Sequence, residues 1–342
     1  MASTLPISTL NREDSQKREI SSRAITLTVV SVMLLACFLA GWVPIAFSIV
    51  TVFLFAGPHN WFEARYLLSR MPGHWGPLKP YFLTGICGVI GLTSLFAILP
   101  SLATLLDWND SEWLTAIASW NSLLVAWIVA LTLQRSHQKP RRDWNWIVPL
   151  AFTVVAINWL HPLAWSLSLV YLHPLMALWF LDRELQKRNS PWRRSYRCCL
   201  LLIPACLIAL WFRLRGAVDL PADDILTSQI ARHAGGDVLP LVSTRFLIAA
   251  HTFLEMLHYG IWIVAIPLFS VKAWPWQLSG IPLVRRSRVW QWSVGALIGT
   301  GFFIMFVLWG AFLSDYSTTR DVYFTVAMLH VLAEIPFLLR LI

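Results

Sequence analysis

The stretch HTFLEMLHYGIW, residues 251–262, sets His251, Glu255 and His258 into an otherwise apolar run. At 100° per residue the spacing i, i+4, i+7 places all three on one stripe of a helix, about 10 Å long. Three more groups of this kind occur. His330 and Glu334 stand four apart in the last apolar run, His59 and Glu63 stand four apart in GPHNWFEARYLLSR, and His173 lies in YLHPLMALWFLDREL. Imidazole and carboxylate are the donors that iron, zinc or manganese take, and a pair four apart on a helix can chelate one ion. For any single histidine the simpler expectation is a hydrogen bond to a neighbouring helix. Taken as a set, with acids repeatedly one turn away, they point to a shared metal site. His59, His173, His251, His258 and His330 are the candidate ligands, and Glu63, Glu255 and Glu334 are the candidate catalytic carboxylates.

The elements that must position these groups follow from composition. Hydrophobic residues make up 57% of the 342, charged residues 13%, and the mean hydropathy is +0.61, far from a soluble globular domain. Apolar stretches recur near 24–41, 44–62, 81–100, 114–133, 145–159, 163–181, 198–212, 243–270, 290–312 and 321–342. Each is long enough, alone or with tilt, to cross about 30 Å of hydrocarbon. The expected fold is an all-α polytopic transmembrane bundle of about ten spans, within a range of eight to twelve. The first two stretches are separated only by GWVP, and the fifth and sixth only by LHPL, so each pair could instead be one kinked or re-entrant unit. Ionisable residues at membrane depth are expensive and normally face a bundle interior, which is why the His/Glu groups outweigh the loops as functional signals.

Basic residues sort by side. Alternate connections and both terminal segments hold 22 Lys and Arg, whereas the other side holds five: Arg213, Arg215, Arg232, Arg245 and Arg320. Cytoplasmic loops accumulate positive charge, so both termini are expected in the cytoplasm, and the layout suits a bacterial inner membrane. The same asymmetry accounts for the net charge of +9, so the basic balance calls for no nucleic-acid partner. Trp108, Trp113, Trp144, Trp146, Trp274, Trp276, Trp290 and Trp292 fall at the presumed interfaces, as an aromatic belt requires.

Residues 1–23 are polar and of mixed charge, and are expected to form a flexible cytosolic tail; residues 24–342 form a single transmembrane domain. An outer connection at about 213–242 is read as a solvated loop with a short helix starting near Asp223 or Asp224. The five cysteines fall in apolar segments without metal-ligand spacing and are assigned to packing. His74, His137, His161 and His233 are read as surface residues, and the charge run DRELQKR as a solvated face. No nucleotide-binding or nucleophile-elbow pattern is present.

In pattern, the chain resembles the Brp/Blh membrane dioxygenases, which cleave β-carotene to retinal with a histidine-bound iron in a transmembrane bundle. Pro58-His59 with Glu63 resembles their early Pro-His with an acid one turn on. His173 matches a later intramembrane histidine, His258-Tyr259 with Trp262 a His-aromatic segment, and His330 a late histidine in an apolar helix. The order along the chain agrees, and the likeness covers four short windows. It departs in the third window, where the family has two histidines four apart; here Leu254 holds that position and His258 has Glu255 and His251 as partners. The resemblance implies a non-haem iron dioxygenase. His59, His173, His258 and His330 would hold iron(II) for use with O₂, and Glu63, Glu255 and Glu334 would orient their imidazoles.

The function expected from all of this is an integral-membrane, metal-dependent oxygenase with an apolar, lipid-soluble substrate such as a carotenoid or other isoprenoid, entering laterally from the lipid bilayer. Trp61, Tyr259 and Trp262 are candidate lining residues. A proton-coupled carrier that uses the intramembrane His/Glu chain as its ion pathway is the alternative, and a structural assembly partner the third.

Overall fold

A computed structural model describes residues 7–138, 143–187, 190–220, 224–269 and 278–341. The described residues form helices joined by short connections, without a strand: α1 (Ile7–Trp42), α2 (Pro44–Arg70), α3 (Lys79–Leu105), α4 (Asp110–Gln138), α5 (Ile147–Leu160), α6 (Pro162–Lys187), α7 (Trp192–Leu200), α8 (Leu202–Leu214), α9 (Ile225–His233), α10 (Thr244–Gly260), α11 (Ile266–Phe269), α12 (Arg288–Ser314) and α13 (Tyr316–Leu341). Among these residues nine helices are long and apolar enough to cross a membrane, with α7 and α8 forming one span and α10 and α11 another. The protein is an all-α polytopic bundle, as its hydropathy requires. Trp274, Trp276 and Asp223 lie outside the described residues.

The expected fifth crossing is the short one. α5 has 14 residues, about 21 Å at 1.5 Å per residue, and turns into α6 at His161. Near its end the buried Asn158 accepts a 2.8 Å hydrogen bond from Asn121 Nδ2, in the middle of α4. Asn158 Nδ2 donates in turn to the Ala118 carbonyl at 2.8 Å, and Asn121 Nδ2 also lies 3.3 Å from the Pro162 carbonyl. The α5–α6 turn is thus pinned eleven residues inside the start of α4, and these asparagines satisfy backbone groups that would otherwise be stranded.

α10 with α11 forms the axis of the bundle. Its apolar window is 72% buried, against 44% or less for every other span. Ala249, Phe253 and Leu254 of α10 pack with Met33, Ala36 and Ala40 of α1 and with Cys206 and Leu210 of α8. Beyond Gly260 the helix loosens into a π turn, Ile261–Ala265, whose fully buried Trp262 packs against Tyr66 of α2 and Phe180 of α6. α13 joins α3 and α4 through Leu332, Phe82, Trp120, Leu124 and Trp127. The α3–α4 approach is close: a Cβ at Gly88 would fall 1.9 Å from Trp127 Nε1. That indole donates to the Thr84 carbonyl at 2.9 Å.

Two surface expectations are corrected. Glu184, read as part of a solvated run, is 3% exposed. It accepts from the Tyr66 hydroxyl at 2.8 Å and pairs with Arg70, so it ties the end of α2 to the end of α6. Asp182 receives Arg193 and Arg197 in two-pronged pairs with nitrogen–oxygen distances of 2.8–3.1 Å. At the opposite side, α9 starts at Asp224, whose carboxylate caps Thr227 N at 2.9 Å. The hydrogen bonds from Thr227 hold that carboxyl below the usual range. α9 lies on α13 through Gln229, which donates to Asp321 at 2.7 Å and accepts from the Ser317 hydroxyl at 2.8 Å. This packs its last residue, His233, against Phe324 and His251, where a surface residue was expected.

Candidate metal centre

Successive crossings alternate in direction, so α2, α6, α10 and α13 all run the same way and carry their histidines to a common depth. His59, His258 and His330 stand 15, 14 and 14 residues after the first residues of their helices, about 21–23 Å along the axis. His173 stands 11 residues into α6, whose start is the inset α5–α6 turn. Proline marks each approach except that of α10: Pro58 precedes His59, Pro174 follows His173, and Pro336 comes two residues after Glu334. Each removes one i→i−4 hydrogen bond beside a site residue, and the π turn three residues beyond His258 disturbs α10 instead.

Six side chains from these four helices converge. Donor atoms of His59, Glu63, His258 and His330 all lie within 4.8 Å of one another, and so do those of His173, His258 and Glu334. His59 Nδ1 lies 2.9 Å from the Phe55 carbonyl. A carbonyl can only accept, so Nδ1 carries the proton and Nε2 keeps a lone pair, which has no hydrogen-bond partner. His173 is held on one side by Glu334, with Nδ1 to Oε2 at 3.4 Å, and its Nε2 lies 3.2 Å from His330 Nε2. Two nitrogens each about 2.1 Å from one tetrahedral or octahedral ion stand roughly 3.0–3.4 Å apart, so this contact has the spacing of neighbouring ligands.

The electrostatics point the same way. Glu63 and Glu334 are both 0% exposed, and neither oxygen of Glu63 has a hydrogen-bond partner. Neither ring nitrogen of His258 makes a hydrogen bond of normal geometry, although the Pro174 carbonyl neighbours it. Buried carboxylates and imidazoles left this way are costly unless something completes them. A divalent cation held there would complete them, taking the lone pairs and offsetting the carboxylate charge.

The other residues singled out by sequence lie elsewhere. His251 and Glu255 do not join either donor group. Glu255 accepts from the Tyr259 hydroxyl at 2.6 Å, while His251 Nδ1 stays 3.9 Å from its other oxygen. They belong to a second polar cluster with His233, whose ring is 5.0 Å from that of His251, and with Arg320, which is 3% exposed and stacks over Phe324 at 4.6 Å. The sequence marks neither as a site residue: His233 falls in a polar connection and Arg320 among the few outer charges. Tyr259 joins the clusters, its ring 4.3 Å from His59 and its hydroxyl on Glu255. Trp262 lies 6.4 Å from the His258 ring, whereas Trp61 faces α12 and donates to the Ile298 carbonyl at 3.0 Å.

No protein-family model, curated protein or solved structure matches the chain.

Proposed function

We propose that this protein is an integral-membrane, metal-dependent oxygenase whose centre is held by His59, His173, His258 and His330 with Glu63 and Glu334. One observation carries the proposal: four histidines and two carboxylates from four helices meet at mid-helix depth, in two overlapping groups whose donors lie within 4.8 Å of one another and several of which lack any protein partner. Iron is the first ion to test, because a nitrogen-rich set with carboxylates suits iron(II), which supplies oxidative chemistry with O₂.

The chain's own part is orientation. The Phe55 carbonyl fixes the tautomer and rotation of His59, and Glu334 Oε2 faces Nδ1 of His173 at 3.4 Å. Tyr259, its hydroxyl anchored on Glu255, covers the face of His59 and shields that imidazole from water. A site about 16–23 Å from either helix end favours a substrate dissolved in lipid over one arriving from water. The resemblance to the Brp/Blh dioxygenases makes a carotenoid the first substrate to try. In such a cleavage both atoms of O₂ add across one carbon–carbon double bond and leave two carbonyl products. The bias of basic residues supports cytoplasmic termini in a bacterial inner membrane; cysteines placed at Asp110 and Arg188 should then label from opposite faces.

The test is metal analysis of detergent-purified protein, followed by incubation with β-carotene under air and under argon. Stoichiometric iron with O₂-dependent bleaching and aldehyde formation is expected. A proton-coupled carrier is the second proposal, favoured by the run of His233, His251 and Glu255 that continues from the centre towards α9. Absence of metal together with substrate flux that follows a proton gradient would replace the enzyme with the carrier.

A further inference from the structure

We infer that the centre holds two metal ions rather than one, an inference that rests on the metal-centre proposal above. The six donors form two overlapping groups, not one. His59 and Glu63 occur only in the first group, His173 and Glu334 only in the second, and His258 in both. His330 belongs to the first and touches His173 of the second at 3.2 Å. The pairs therefore flank the shared His258, one His and one Glu at each end.

Size separates one ion from two. Donors on opposite sides of a single ion, each about 2.0–2.3 Å from it, lie at most about 4.6 Å apart. Each group comes close to the size of such a sphere, its donors falling within 4.8 Å of one another, whereas the six do not form a single group even at that limit. The ring positions agree with a shared His258, which lies 5.4 Å from His59 and 4.4 Å from His173. Coordination number leads to the same result. Six protein donors gathered on one ion would fill an octahedron and leave no position for a reactant, whereas catalytic centres keep one open. Divided between two ions, with His258 reaching one through each of its two unpartnered ring nitrogens, the same donors leave both ions incomplete, and two neighbouring ions can act on one reactant together.

Charge sets the order of filling. Glu63 and Glu334 balance one divalent ion in full and two only by half, so the second ion binds more weakly than the first. Full-length protein in detergent, stripped with chelator and titrated anaerobically with Mn(II), should show this. The isolated-ion six-line paramagnetic resonance signal should rise through the first equivalent. By the second equivalent it should give way to a broad exchange-coupled signal, and desalted protein should retain two ions per chain. His173→Ala and Glu63→Gln should each hold one ion and keep the six-line signal, with helical circular dichroism and elution unchanged; the titration of the parent protein decides the matter even if neither variant folds. One ion per chain at saturation, or two ions with no coupling, overturns the two-ion centre and leaves the metal-centre proposal standing. No retained ion overturns both.

Discussion

Two clusters of the same residue types share α10, and they are built differently. His258 sits among three imidazoles and two carboxylates from α2, α6 and α13, with unpartnered nitrogens. His251, seven residues earlier on the same stripe, sits with Glu255, His233 and Arg320, where Tyr259 supplies a donor to the carboxylate and Phe324 covers both the imidazole of His233 and the guanidinium. Both clusters place a carboxylate one turn from a histidine. Helical spacing alone therefore does not make a ligand set. What distinguishes the inner cluster is that several helices deliver lone pairs to the same few ångströms, while the outer one spreads its polar groups over aromatic faces and carries its own cation in Arg320.

The largest effect should separate the two histidines of α10. His258→Ala removes a donor common to both groups and should abolish metal retention, well beyond the roughly 10–100-fold loss of affinity typical of a supporting residue. His251→Ala should retain the metal content of the parent. Equal loss in both variants, by metal analysis after desalting, would mean that the outer cluster is part of the centre and that the comparison drawn above is wrong.

A smaller effect is expected at the carboxylates. Glu255→Gln keeps an acceptor oxygen for the Tyr259 hydroxyl, so metal content should hold while turnover falls about 10-fold or less through loosened packing on His59. Glu63→Gln, at a residue whose oxygens have no hydrogen-bond partner, should lower metal content itself. Metal loss in Glu255→Gln matching that in Glu63→Gln would make Glu255 a ligand.

Much of this was visible in the sequence, and the reasons for the rest are physical. Hydropathy marks the spans because lipid leaves few other solutions for the backbone, and the i, i+4 pairs of α2 and α13 mark the faces that meet. The division of the 251–258 stripe was not legible, since it depends on how deeply α10 is inserted relative to α6 and α13. Glu184 did carry a signal: Phe180, Leu181, Glu184 and Leu185 are all buried and share one face at helical spacing, so the glutamate belongs to the apolar side of its charge run. His233 and Arg320 carried none, because only the docking of α9 on α13 buries them together.

Stability without metal loss provides the control. Gly88→Ala introduces a methyl where Trp127 lies, at a contact that involves no residue of either cluster, and should cost about 1–3 kcal/mol in detergent unfolding. Metal per chain should not change. A drop in metal content that parallels the drop in stability would show that retention reports folding rather than ligation, and would weaken the contrast between His258→Ala and His251→Ala.

The smallest effect concerns a polar group that is satisfied within the protein. Asn121 and Asn158 hold each other at 2.8 Å inside the bundle. Asn121→Leu leaves the Asn158 side-chain oxygen without its donor, whereas Asn158→Leu leaves Asn121 Nδ2 the Pro162 carbonyl at 3.3 Å and Ser166 Oγ at 3.2 Å. The first substitution should therefore cost more than the second, by an amount on the order of 1 kcal/mol, because an orphaned buried acceptor is the more expensive outcome. Changing both to leucine should cost less than the sum of the single changes, with a coupling in the range of about 0.6–1.7 kcal/mol found for hydrogen bonds between membrane helices. Unfolding of the two single variants and the double variant in detergent measures this. A coupling of zero would mean that the asparagines act independently. The inset α5–α6 turn, and with it the depth at which His173 is presented, would then depend on helix packing rather than on this pair.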